Sequence, residues 1–227
     1  MTAPVTADSE LDEAPAADRG GRGGRGAVRR YGLLAVAAAL VVGLLLGYAG
    51  GLLTPALTRP SANSAEAGFA RDMTTHHNQA VAMGLLAFSQ GQDPEVRQVG
   101  VDIATGQQGE IGTMQTWLRS WKLDPTGDRA PMAWMPDGGG LVKNGLMPGM
   151  ATPEEMAKLR AASGREFDVL FLQMMIRHHI GGVHMIDGIL DEGHDDDVLA
   201  VAQIMKNTQQ NDLTNLNAAL KRLGGTP

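Results

Sequence analysis

The sequence predicts an all-α protein: a four-helix bundle made of two repeated helical hairpins, preceded by one transmembrane helix. Three observations predict it. Residues 31–53 carry no charge. Beyond them, apolar residues recur at helical spacing between N-cap signals. The chain also repeats at an offset of 102 residues, which carries "MTTHHNQAVAM" (Met73 to Met83) onto "MIRHHIGGVHM" (Met175 to Met185) without a gap.

Residues 1–30 are rich in Ala, Pro, Gly and acidic residues and end in "RGGRGGRGAVRR". Such a segment buries too little apolar surface to offset its ordering entropy, so a disordered basic cytoplasmic tail is expected. The run "YGLLAVAAALVVGLLLGYAGGLL", Tyr31 to Leu53, follows. At about 1.5 Å per residue it can cross a hydrocarbon core of ~30 Å. Arg19, Arg22, Arg25, Arg29 and Arg30 precede it and only Arg59 follows closely. The positive-inside rule then puts the C-terminal domain outside the cytoplasm. A cleaved signal is the alternative, with a small-residue stretch at Ser61–Ala65. Residues 54–65 read as a linker.

A four-helix domain is expected over residues 66–227. Its first helix covers about 66–90 and stops at Gly91. Asp93 as N-cap with Pro94 at N1 starts the second, which runs to about Lys122. A Gly-, Pro- and Met-rich loop spans 125–151. Thr152 caps a third helical region ending near Glu192, with Gly164 as a break point, and the fourth runs from about Asp195 to Leu223. The offset holds outside the histidines. Phe69 maps to Phe171, Val96 to Val198, Gln107 to Gln209, Glu110 to Asp212 and Leu118 to Leu220. One amphipathic hairpin cannot bury its own stripe, whereas two together can.

Composition narrows the chemistry. The chain has no Cys, which excludes disulfides, thiolate zinc sites and thiol catalysis. Residues 1–60 hold 6 basic and 5 acidic side chains, leaving 13 basic and 20 acidic in the remainder. An acidic outer domain argues against nucleic acid and suits a cation. Nucleophile triads and phosphate-binding loops are missing, so no catalytic residue is assigned and the protein is not expected to be an enzyme.

The doubled stretches carry the candidate ligands. At about 100° per residue, Met73, His76, His77, Ala80 and Met83 fall on one arc of about 120°, as do Met175, His178, His179 and Met185. Repeat symmetry turns the two His pairs toward each other. Burying four imidazoles gives a core little, so metal binding is the better account. His184 points outward by the same wheel, and His194 sits in an acidic turn. Gly181 and Gly182 each cost a helix about 1 kcal/mol relative to Ala, which suggests close approach of the opposite helix. Imidazole with thioether and no thiolate selects copper, as Cu(I) or Cu(II), ahead of other transition metals. In the loop, Met132, Met135, Met147 and Met150 are either further thioether ligands or, with Trp134, a hydrophobic lid.

At "FARDMTTHHNQAVAM" and "FDVLFLQMMIRHHIGGVHM" the sequence resembles the bacterial domain-of-unknown-function family 305, a relative of the ferritin-like superfamily, over about residues 66–222. The resemblance implies a secreted or membrane-anchored protein associated with copper. It carries over His76, His77, Met83, His178, His179 and Met185 as ligands, and Met73, Met175 and Met150 with them. Asp212 and Leu216 depart from Glu110 and Met114 of the first half. Two other functions compete with copper binding. A ferritin-like di-metal oxidase needs inward Glu-x-x-His pairs, and none occurs near the histidines; Asp72 is matched by Met174. A b-type haem could be held by His and Met.

Overall fold

The structure, a computed structural model, describes residues 24–226. It is all-helical among those residues, and two units are described separately.

The first unit contains α1, Gly24–Thr58. Its stretch Arg30–Leu52 has a mean hydropathy of 2.3 and no buried residue, and is long and apolar enough to cross a membrane. The helix is longer at both ends than the expected 31–53 span. It takes in residues 24–30 of the expected tail and 54–58 of the expected linker. Once a helix is nucleated, each flanking residue adds a hydrogen bond at little cost. The rest of the expected tail, residues 1–23, lies outside the described residues.

The second unit is the bundle. α2 (Ala65–Gln90) and α3 (Pro94–Ser120) form the first hairpin. α4 (Gly138–Leu141) and α5 (Pro153–Ala161) lie in the connection, and α6 (Gly164–Glu192) with α7 (Asp196–Arg222) form the second hairpin. The starts are set by side-chain caps. Asp93 accepts from the N–H groups of Glu95 and Val96, and Asp195 from those of Asp197 and Val198. Thr152 and Glu155 make a reciprocal capping box. The break at Gly164 is real: its φ of +61° belongs to the left-handed region, where glycine pays no steric penalty.

The core has two apolar clusters. One joins Met83, Val96, Phe167, Phe171, Met175 and Leu220. The other joins Phe69, Met73, Ile111, Met114, Met185 and Met205, with Met132, Trp134 and Met147 of the loop. The end of α2 therefore meets the start of α6, and the two central helices run antiparallel. Full burial of each such side chain contributes about 1.5–3 kcal/mol. Between the clusters lies a polar layer: His76, His77, Gln107, His178, His179 and Gln209, all buried.

Two buried carboxylates latch the hairpins together. Asp168 at the start of α6 accepts from the N–H groups of Gln92 and Asp93, in the α2–α3 turn. Glu66 at the start of α2 accepts from His194 N in the α6–α7 turn at 2.7 Å. Each hairpin thus satisfies the turn of the other.

Candidate metal centre

The four histidines come together as the repeat requires. α2 presents His76 and His77, and α6 presents His178 and His179; none is more than 1% exposed. The His76 and His178 rings stack across the pseudo-two-fold axis, centroids 3.8 Å apart and planes tilted by 35°. His77 and His179 flank them, at 6.5 Å from His76 and 6.4 Å from His178 respectively. The result is one row of four imidazoles crossing the bundle.

Each ring has a polar partner. His76 Nε2 lies 3.0 Å from the Pro148 carbonyl, and His178 Nε2 lies 3.1 Å from the His76 carbonyl. His77 Nε2 faces Glu110 Oε2 of α3 at 2.7 Å. His179 Nε2 faces Asp212 Oδ2 of α7 at 3.3 Å, while its Nδ1 lies 3.1 Å from the Met175 carbonyl. Burial, reinforced by the neighbouring His77, pushes His76 down to about 3. Burial and the His76 ring hold His178 well below the ordinary histidine value. Both are neutral near pH 7. A neutral imidazole has one ring proton, and carbonyl oxygen only accepts. The protons of His76 and His178 therefore sit on Nε2, and Nδ1 is left as a lone pair.

That lone pair provides the test of whether the layer fits an ion. Four buried polar atoms without a hydrogen-bond partner lie here among the described residues: His76 Nδ1, His77 Nδ1, Gln107 Oε1 and Gln209 Nε2. Buried polar groups are normally satisfied, so these atoms are open to a further partner. Neutral imidazole nitrogen and amide oxygen are both metal donors. Among the described residues no group of three His, Asp or Glu side chains is already drawn together as a cage. An ion held by both stacked rings would need them to part, because imidazole ligands stand about 2 Å from a metal along in-plane lone pairs.

The methionines bracket the layer. Met73 and Met185 belong to one apolar cluster, Met83 and Met175 to the other, all four fully buried. Met150 is half-buried and packs on the first of these clusters. His184 and His194 are exposed, away from the row.

The loop is part of the centre. Asp72 of α2 accepts from Met132 N at 2.7 Å and Trp134 Nε1 at 2.8 Å, so it serves the loop. Gln79 clasps Ala151 twice, accepting from its N–H at 2.6 Å and donating to its carbonyl at 2.9 Å. Pro148 between these anchors supplies the His76 carbonyl partner. The two helix glycines do not make room for α2, the close approach of the opposite helix expected from sequence: Gly181 answers to this strap and Gly182 to α7. A Cβ on Gly181 would strike the Pro148 carbonyl, and one on Gly182 would strike the Gln209 side chain of α7. Gly149, at φ +79°, lets the strap lie against the backbone of His178.

Glu110, Asp212, Gln107, Gln209 and Pro148 were not among the sequence-predicted site residues. The repeat did single out four of them: Glu110 and Asp212 stand 33 residues after His77 and His179, and each Gln lies one helical turn before its acid, whereas Pro148 has no repeat partner.

The family model for the domain of unknown function DUF305 matches residues 66–220. The fold is similar to a DUF305 protein of Streptomyces coelicolor, described as a candidate secreted protein, at 38% identity and a TM-score of 0.67. That match covers 73% of this chain and 98% of the other. A DUF305 fragment of Deinococcus radiodurans matches at 28% identity and a TM-score of 0.60, covering 72% and 99%. CopM in its Cu(I)-bound form shares the fold at 20% identity, with a TM-score of 0.56 and coverage of 71% and 99%. No curated protein matches. With the family model spanning most of the chain and the doubled His-His motif inside it, the protein belongs to the DUF305 family.

Proposed function

We propose that this chain is a membrane-anchored, extracytoplasmic copper-binding protein that buffers the ion through paired His and Met side chains of α2 and α6. The observation that carries the reading is the sealed row of four histidines in which His76 and His77 have unpartnered Nδ1 atoms. Two further points support it. Thioethers of Met73, Met83, Met175 and Met185 flank the row, and the relative CopM has been seen with Cu(I) and with Cu(II). When bound, copper would supply an exchangeable, redox-active ion. The chain's residues would hold it: neutral imidazoles offer lone pairs without first losing a proton, and the strap and apolar clusters exclude water. Binding is favoured over oxidase chemistry because Asp72 is committed to the loop and Met174 occupies the equivalent place. Met150 and the loop methionines are assigned to closure first and ligation second. The apolar stretch of α1 and the Arg residues before it support an anchor with the bundle outside.

A Cu(I) and Cu(II) competition titration on the full chain in detergent micelles tests the reading. His76→Ala with His77→Ala, and His178→Ala with His179→Ala, should each weaken binding strongly. Their combination should cost less than the sum, since residues acting as one unit are non-additive. Unchanged affinity in both double variants would return the histidines to the core. A Soret band or oxo-bridged iron absorption in the purified protein would favour haem or a di-iron site. A reporter fused after Pro227 that works only in the cytoplasm should stay silent.

A further inference from the structure

We propose that Glu110 of α3 and Asp212 of α7 are positioning residues for the histidine row. Glu110 takes the outward Nε2–H of His77, so that the His77 Nδ1 lone pair is the nitrogen offered to an ion; Asp212 faces His179 Nε2 from the equivalent place but at a longer distance. The inference rests on the copper reading of the row.

The hydrogen bond made by one ring nitrogen decides which nitrogen is left to ligate. His77 Nε2 is 2.7 Å from Glu110 Oε2, and His77 Nδ1 is buried without a partner. A carboxylate accepts, so the ring proton resides on Nε2 and Nδ1 is bare. A carboxylate on the far nitrogen of a ligating histidine fixes its orientation and raises its basicity. The placement fits that role. The Glu110 and Asp212 side chains are 21% and 26% exposed, whereas the two rings are 0% exposed. The acids stand at the two ends of the row, between the buried rings and solvent.

The ends are not equal. Aspartate is one methylene shorter than glutamate, and His179 Nε2 stands 3.3 Å from Asp212 Oδ2. His179 Nδ1 lies 3.1 Å from the Met175 carbonyl, so one ring proton is shared between two acceptors when the ring is neutral. While it serves Met175, Nδ1 is closed to an ion. His77 is therefore the prepared ligand and His179 the hindered one, and the length of residue 212 sets the difference.

The test uses the full chain in detergent micelles. Two-bond 15N–1H correlations report the histidine tautomers without metal, and a competition titration reports Cu(I) affinity. Glu110→Gln and Glu110→Ala should mix the His77 tautomers and weaken Cu(I) about 10- to 100-fold. Asp212→Glu should move His179 to the Nε2–H form and tighten Cu(I) severalfold, a gain that a merely structural residue does not give. Glu110 variants with one His77 tautomer and wild-type affinity would overturn the proposal. So would X-ray absorption placing a carboxylate oxygen on copper. If the wild type binds no copper yet the tautomers respond, the copper reading fails and the positioning role stands. Copper binding with unresponsive tautomers has the opposite meaning.

Discussion

His76 shows what burial does to a single side chain. Its folded value is near 3, far below the ordinary 6.5, because the charged ring is cut off from water and sits beside His77. The unfolded chain therefore takes up this proton first as pH falls, and stability rises with pH wherever the unfolded state binds more protons. The contribution is intact above about pH 6.5 and erodes toward pH 3; for His76 alone the loss is about 3 kcal/mol by pH 4. His178 adds to it. Glu66, held below its ordinary value despite its burial by the His194 N–H, acts in the same direction, with stability lost as pH falls through its lowered value. Asp72, raised by burial, acts oppositely. Thermal melts from pH 7 to pH 4 should show a falling midpoint, and His76→Gln should flatten the slope. An equal slope in wild type and variant would refute the assignment. The shared buried stripe of His76, His77, Met73 and Met83 was legible because a helix wheel follows from sequence. The contacts of Glu110 with His77 and of Pro148 with His76 were not, because the rotation of α3 and the path of the loop are settled only by packing.

At the scale of elements, the caps were legible and the strap was not. Asp93, Thr152 and Asp195 act within three residues of themselves, so a local pattern reveals them. Residues 132–151 are held by Asp72 and Gln79, each at least 60 residues away, and no local pattern encodes that. The short α4 inside the loop escaped for the same reason. Two glycine substitutions separate the cases. Gly181→Ala drives a Cβ into the strap backbone, which cannot yield as a flexible side chain would. It should destabilise by about 1–3 kcal/mol and raise hydrogen exchange at residues 147–151. Gly106→Ala on α3 meets open space and should stabilise by about 1 kcal/mol through helix propensity. Equal melting shifts of one sign in the two variants would contradict this account.

At the scale of the whole molecule, the 102-residue offset governs more than the histidine pairs. The α2–α3 turn occupies residues 91–93 and the α6–α7 turn residues 193–195. Glu66 and Asp168, which latch those turns crosswise, are themselves 102 apart. The stacked pair His76 and His178 sits where the axis relating the halves must pass. The connecting strap breaks the symmetry, since only His76 receives the Pro148 carbonyl.

The stacked rings on that axis have an ancestral implication. A contact between equivalent residues across a two-fold is what an isologous homodimer makes, with one patch serving both partners. The present chain then looks like a fused dimer of a single hairpin, to which the strap and the difference between Glu110 and Asp212 bring the asymmetry. A peptide of residues 59–124 would retain Glu66, His76, His77 and Glu110, and would supply every class of contact except the strap. Sedimentation should find it dimeric and helical, with His76 stacked on its own copy. A peptide that stays monomeric and unfolded at high concentration would show that the halves have diverged too far to stand in for one another.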